Sequence, residues 1–124
     1  PYFDYIAPMV YPSHYNKGFN GHANPANFPY DVVYTSMFSA QQRLNAFNKS
    51  TTTIKIVESQ FRPWLQDFDL GADYDATKIR AQIQATYDAA STSLGTSAST
   101  TEAGWMLWAP TNIYTKAGLL PDEQ

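Results

Sequence analysis

Two aspartates, a glutamine and a tryptophan share one short run, RPWLQDFDLG at residues 62–71. Their types and spacing could do chemistry. Paired carboxylates can run acid/base cleavage of an acetal bond, at separations of about 5–5.5 Å for retention or about 6.5–9.5 Å for inversion. Asp67 and Asp69 are near enough, but such pairs flank the bond from different strands. Asp67 is therefore the candidate catalytic carboxylate, and Asp69 reads as a residue that begins a loop or caps a turn. Strand alternation puts Arg62, Trp64 and Gln66 on one face. At a site rim, Gln66 would hydrogen-bond a sugar and Trp64 would stack on it. The alternative is a structural polar layer in which Arg62 pairs with a carboxylate.

Two other segments end in the same way, YIAPMVYPSHY (residues 5–15) and GWMLWAP (residues 104–110). Each begins apolar and gathers aromatic or polar residues at its C-terminal end. Tyr11 and His14 follow the first. A neutral histidine can donate to a hydroxyl or act as acid or base near neutral pH, or it can simply anchor a loop. Ser13 and His14 are adjacent with no evident partner acid, so they do not make a nucleophilic Ser–His arrangement. His14 and His22 lack the further ligands a metal site needs, and no cofactor is implied. Trp108 ends the third segment, as a stacking floor for a sugar or as core filler. Asn112 and Tyr114 are further rim candidates. Asn48-Lys49-Ser50 matches a glycosylation sequon, which has meaning only in a eukaryotic secretory setting.

Elements must position these residues, and the composition allows them. The 124 residues suit one domain, and 44% hydrophobic against 15% charged residues is a globular balance. Nine Tyr, seven Phe and three Trp supply both packing and stacking surfaces. A net charge of −3 with eight scattered Lys and Arg argues against nucleic-acid binding. With no cysteine, disulfides and thiolate metal sites are excluded. No apolar run approaches the roughly 18 residues that span a bilayer, and no signal peptide is evident. A start at Pro1, close to the first strand, reads as a piece of something longer.

The pattern along the chain predicts strands at 5–11, 61–68 and 104–109, with residues 54–57 (IKIV) as a lead-in to the second. Pro8 makes the first strand irregular. A long loop over 12–29 is of a length that is often functional. A helix is predicted over 30–48, with Val33, Met37, Ala40, Leu44 and Phe47 in one stripe, Pro29 before it and Asp31 in its first turn. Residues 49–53 read as a turn and 69–74 as a loop. A second helix over 75–90 carries Ile79, Ile83, Tyr87 and Ala90, with Asp75 as its N-cap. Residues 91–102 read as a flexible surface loop, and 113–120 as a short final helix. Alternating strands and helices mean an α/β fold with a parallel sheet. Three strands with helices on one face leave the other face open, and parallel sheets are normally covered on both. Met9, Tyr11, Trp64, Met106 and Trp108 would line that open face.

The segments YIAPMVYPSHY, NPANFPYDVVYTSM, RPWLQDFDLG, IRAQIQATYDA and GWMLWAPTNIYT, in this order and spacing, resemble the C-terminal part of a bacterial family of putative glycoside hydrolase domains. The resemblance runs from about Tyr5 to Leu119 and is most specific in MVYPSHY and RPWLQDF. It implies three βα units equivalent to strands six to eight of a (β/α)8 barrel. A whole barrel needs about 200–250 residues, so residues 1–124 would be one C-terminal portion, inactive alone. The family's earlier half carries an acidic strand end expected to be catalytic, and this chain lacks it. Two departures stand out: Ala109 replaces the family's usual Asn, and the Ser/Thr-rich stretch at 91–102 is longer. The implied function is acid/base hydrolysis of a carbohydrate, with an extracellular or cell-envelope location favoured. Asp67 would be a secondary carboxylate, and Tyr11, His14, Trp64, Gln66 and Trp108 would shape the subsite. The alternative is a non-catalytic module, glycan-binding or structural. The missing half would be supplied in cis or by a partner chain, and the open face could instead join two copies.

Overall fold

The computed structural model describes residues 3–50, 59–94 and 104–119. The elements run β1 (Tyr5–Ile6), β2 (Met9–Val10), α1 (Pro29–Ser50), β3 (Gln60–Phe61), β4 (Trp64–Gln66), α2 (Ala76–Leu94) and β5 (Met106–Trp108). β2, β4 and β5 form a parallel sheet with β4 in the centre, and β1 pairs with β3, also in parallel. The architecture is mixed α/β, as the alternation of periods predicts.

Prolines explain why two expected strands are each split. The strand expected over 5–11 becomes β1 and β2, and that over 61–68 becomes β3 and β4. Arg62 N–H donates to the Ile6 carbonyl and Trp64 N–H to the Pro8 carbonyl, both at 2.9 Å. The Pro8 nitrogen lies between these two carbonyls and has no N–H to give. Pro63 does the same on the other side of the central strand. Its carbonyl still accepts from Met106 N–H at 2.9 Å, and β5 begins at that residue. The third strand is consequently shorter than the 104–109 expected.

Both helices run longer than the sequence suggests. α1 extends through Asn48-Lys49-Ser50, so the sequon and the start of the expected turn are helical. Pro29 occupies the helix itself, where a first-turn proline costs no hydrogen bond. Val33 and Met37 are buried as expected, together with Val32, while Phe47 is exposed. α2 takes in residues 91–94, which read as loop from their small polar composition. Its N-terminus matches expectation: Asp75 Oδ1 accepts from Lys78 N–H at 3.0 Å. The long loop over 12–29 is three short 3-10 turns, Pro12–His14, Phe19–Gly21 and Pro25–Asn27. The expected IKIV lead-in at 54–57, and most of the expected loop at 91–102, lie outside the described residues. Among the described residues no helix is long and apolar enough to cross a membrane.

The core lies between the sheet and the helices, which also pack on each other. Val10, Leu65, Ile79 and Ile83 are each at most 2% exposed and share one cluster with Val33 and Met37. The opposite parity of the strands faces outward: Met9 is 71% and Trp108 46% exposed. Of the other residues expected to line an open face, Trp64 and Met106 are half-buried and Tyr11 is buried, and Gln66 on the same side is fully buried.

The expected final helix is a 3-10 turn, Lys116–Gly118, seated on α2. Arg80 Nη2 donates to the Gly118 carbonyl at 2.5 Å. A Cβ at Gly118 would meet Ile79 Cβ at 2.7 Å and Cγ2 at 2.8 Å. Gly118→Ala is therefore expected to cost about 1–3 kcal/mol by overpacking. A urea midpoint unchanged from wild type would mean that this turn does not press on α2.

Candidate functional site

The C-terminal ends of β2, β4 and β5 lie side by side. Register pairs Met9 with Trp64 and Trp64 with Met106, and one row on it sets Gln66 beside Trp108. Tyr11, one residue past β2, falls in that last row by alternation. Tyr11 and Trp108 thus flank Gln66, and Trp64 meets Trp108 edge to face with centroids 6.1 Å apart.

Each candidate has a distinct setting. Trp64 is half-buried and Trp108 exposed, so this pair presents indole surface to solvent. Tyr11 is buried and packs its ring against His14 (5.4 Å) and Phe68 (5.5 Å), both nearly perpendicular. His14 is exposed at the end of the Pro12–His14 turn and lies 5.9 Å from Phe68. Asn112, in the loop after β5, is exposed and held at φ 58°, a left-handed conformation that asparagine tolerates better than most residues. Tyr114 in the same loop is also exposed.

Asp67 is 5% exposed and directly follows the central strand. Its N–H donates to the Trp108 carbonyl at 2.9 Å, and its Oδ2 accepts from Thr115 N–H at 2.8 Å. The carboxylate therefore straps the loop after β5 to the end of β4. Asp69 does what its position suggested: Oδ1 accepts from Tyr74 N–H at 2.7 Å and closes the turn. The two aspartates thus serve different loops.

Gln66 differs most from the sequence picture. It is fully buried, and its amide is occupied within the protein. Oε1 accepts from Ser13 N–H at 3.1 Å, while Nε2 donates to Ser13 Oγ at 2.6 Å and to the Phe68 carbonyl at 2.9 Å. Arg62 lies with its guanidinium carbon 4.1 Å from the centre of the Tyr5 ring, a cation–π placement. Beneath Gln66, Gln82 of α2 is also fully buried. It accepts from Gln66 N–H at 2.9 Å and donates to the Gln66 carbonyl at 2.8 Å. The sequence reading missed Gln82, Ser13, Phe68 and Thr115 in these roles. A polar residue between Ile79 and Ile83, inside the apolar arc of α2, was the available signal for Gln82.

Two tyrosine hydroxyls tie distant segments, Tyr74 joining two loops and Tyr30 of α1 reaching α2. Tyr74 OH donates to the Ala26 carbonyl at 3.0 Å, and Tyr30 OH to Asp88 Oδ2 at 2.7 Å. Burial pushes the Tyr74 phenol well above its ordinary value, with the Ser13 hydroxyl acting in the opposite sense. The Asp88 hydrogen bond, followed by burial, pushes Tyr30 up to about 12. Burial also raises Tyr11. A phenol whose folded pKa exceeds its unfolded value of about 10 holds its proton longer in the native state. These contributions are complete below pH ~10 and are lost as pH rises through the folded values. Urea midpoints should fall steeply above pH ~10, and less so in Tyr74→Phe. An equal fall in both proteins would remove Tyr74 as a cause.

Among the described residues no group of His, Cys, Asp or Glu could hold a metal ion. The hydrogen bond between His22 Nε2 and Asp31 Oδ2, at 2.9 Å, ties the preceding loop to the first turn of α1, and the imidazole stacks on Phe28. No curated protein and no solved structure matches the chain. A family model described as a putative glycosyl hydrolase domain matches residues 1–114, nearly the whole chain. With this match added to the strand-end segments that suggested it, the chain belongs to the family of putative glycosyl hydrolase domains.

Proposed function

We propose that this chain supplies part of a carbohydrate-hydrolysing site, built at the C-terminal ends of parallel strands in a (β/α)8 barrel. The observation that carries this reading is the presence of a nearly buried carboxylate, Asp67, and two indoles, Trp64 and Trp108, at neighbouring strand ends. Family membership supports the same chemistry. The further barrel strands, in cis or from a partner chain, would cover the face that carries Met9 and Trp108.

In this reading Trp64 and Trp108 stack on the apolar face of a sugar ring. Tyr11 backs the rim from below, and His14 reaches a hydroxyl. Asp67 Oδ2 is held by Thr115, which leaves Oδ1 as the atom for proton transfer. Glycoside hydrolysis needs a second carboxylate on the other side of the bond, and another strand of the barrel provides it. The chain alone is therefore expected to show no turnover.

The test supplies the remaining barrel half in trans and assays release of reducing ends from a panel of oligosaccharides. Hydrolysis should appear on complementation and drop about 10²–10⁴-fold in Asp67→Asn, the usual worth of a general acid or base. Turnover by the uncomplemented chain would contradict the proposal. The Thr115 strap favours a second reading, in which Asp67 is structural and the module binds glycan without cleaving it. Glycan binding of equal affinity in wild type and Asp67→Asn, with no hydrolysis in either, would support that module.

A further inference from the structure

Gln66 has the position of a ligand-binding residue but not the accessibility of one. It sits in the row of Tyr11 and Trp108, yet it is fully buried and its amide is spent on its own chain. All its side-chain partners lie in the two loops that leave the strand ends. Ser13 belongs to the turn after β2 and carries His14 as its neighbour. Phe68 belongs to the loop after β4 and packs on both Tyr11 and His14. Ser13 Oγ, which accepts from Gln66, itself donates to the Leu70 carbonyl at 2.6 Å. The link therefore continues into the second loop.

Gln66 is in turn held from below. The buried amide of Gln82 meets both the N–H and the C=O of its backbone. Hydrogen bonds thus link α2 to the Gln66 backbone through Gln82, and the Gln66 side chain to Ser13 and onward to Leu70. The Gln82–Gln66 bonds are buried, those from Gln66 to Ser13 are partly buried, and the Ser13–Leu70 end is exposed; at the buried end any shift leaves a donor or acceptor unpaired.

We propose that Gln66 is a positioning residue: with Ser13 it locks the loops after β2 and β4 together, and so sets the Tyr11–His14–Phe68 aromatic group at the rim. This deepens the proposed carbohydrate site and rests on that reading for its functional consequence. The lock itself does not rest on it.

The experiment uses the full chain and two variants. Gln66→Leu removes the amide at similar volume. Ser13→Ala removes only the hydroxyl of a partly exposed residue, whose contact with the apolar core is the buried Tyr74 phenol. Amide hydrogen exchange at residues 13–15 and 68–70, with the ring-proton shifts of His14 and Phe68, reports the rim. Exchange at buried amides of α2 reports the core. Both variants should speed rim exchange about tenfold or more, with α2 protection kept in Ser13→Ala. Unchanged rim exchange and ring shifts in Ser13→Ala would overturn the lock. If Gln66→Leu unfolds globally, Ser13→Ala decides alone.

The second arm titrates the complemented protein with cello-, xylo-, malto- and chito-oligosaccharides. A probe that binds wild type should bind Ser13→Ala at least several-fold more weakly at equal thermal stability, an effect general destabilisation would not produce. Equal affinity would overturn the positioning role. If none of these probes binds wild type, the carbohydrate reading fails, and the exchange result stands or falls separately.

Discussion

Leu65→Ala should remove about 2–5 kcal/mol of folding stability, the usual loss for emptying a fully buried leucine site. Leu65 is 0% exposed in the middle of the central strand, beside Val10 of β2 and Leu107 of β5. Ile79 and Ile83 of α2 belong to the same buried cluster. Its side chain therefore touches sheet and helix layers together, and few neighbours can collapse into the space it leaves. The measurement is urea unfolding followed by tryptophan fluorescence. A loss under about 1 kcal/mol would mean that β4 does not pack on α2 as described. Met9→Ala, at a site 71% exposed, should be nearly silent in the same assay.

Gln82→Leu is the second large effect, expected at about 2–4 kcal/mol, although it adds an apolar side chain to an apolar arc. By hydrophobic bookkeeping the change looks favourable. The buried amide, however, serves both the N–H and the C=O of Gln66. Leucine would remove a partner from two buried backbone groups, and leaving such a group unsatisfied costs about 1–3 kcal/mol. Thr86 Oγ1 donates to the Gln82 carbonyl at 3.0 Å, a bond that a side-chain change leaves in place. Equal or higher stability in Gln82→Leu would show that the amide contributes nothing net.

Local signals carried much of this architecture. The period of apolar residues placed both helices, since a stripe at steps of three and four needs no knowledge of what it packs on. Asp75 and Asp69 were legible because each bonds a backbone N–H three to five residues away. The strand-end segments located the row of Tyr11, Gln66 and Trp108, because alternation is a property of each strand by itself. Residues 91–94 show the converse: their small polar composition implies a loop, whereas the helix continues through them.

What the tertiary structure decided is where polar groups go once buried. Gln66 could be read from sequence as a sugar contact or as part of a polar layer, and its partner Ser13 lies 53 residues away. Asp67 could not be seen as a strap, because Thr115 is 48 residues distant. Trp105 Nε1–H finds Tyr87 OH at 3.0 Å, 18 residues away. Periodicity and capping depend on neighbours in the chain and can be read there. Satisfying a buried donor or acceptor depends on which distant groups the packing brings within about 3 Å, and only the folded chain contains that information.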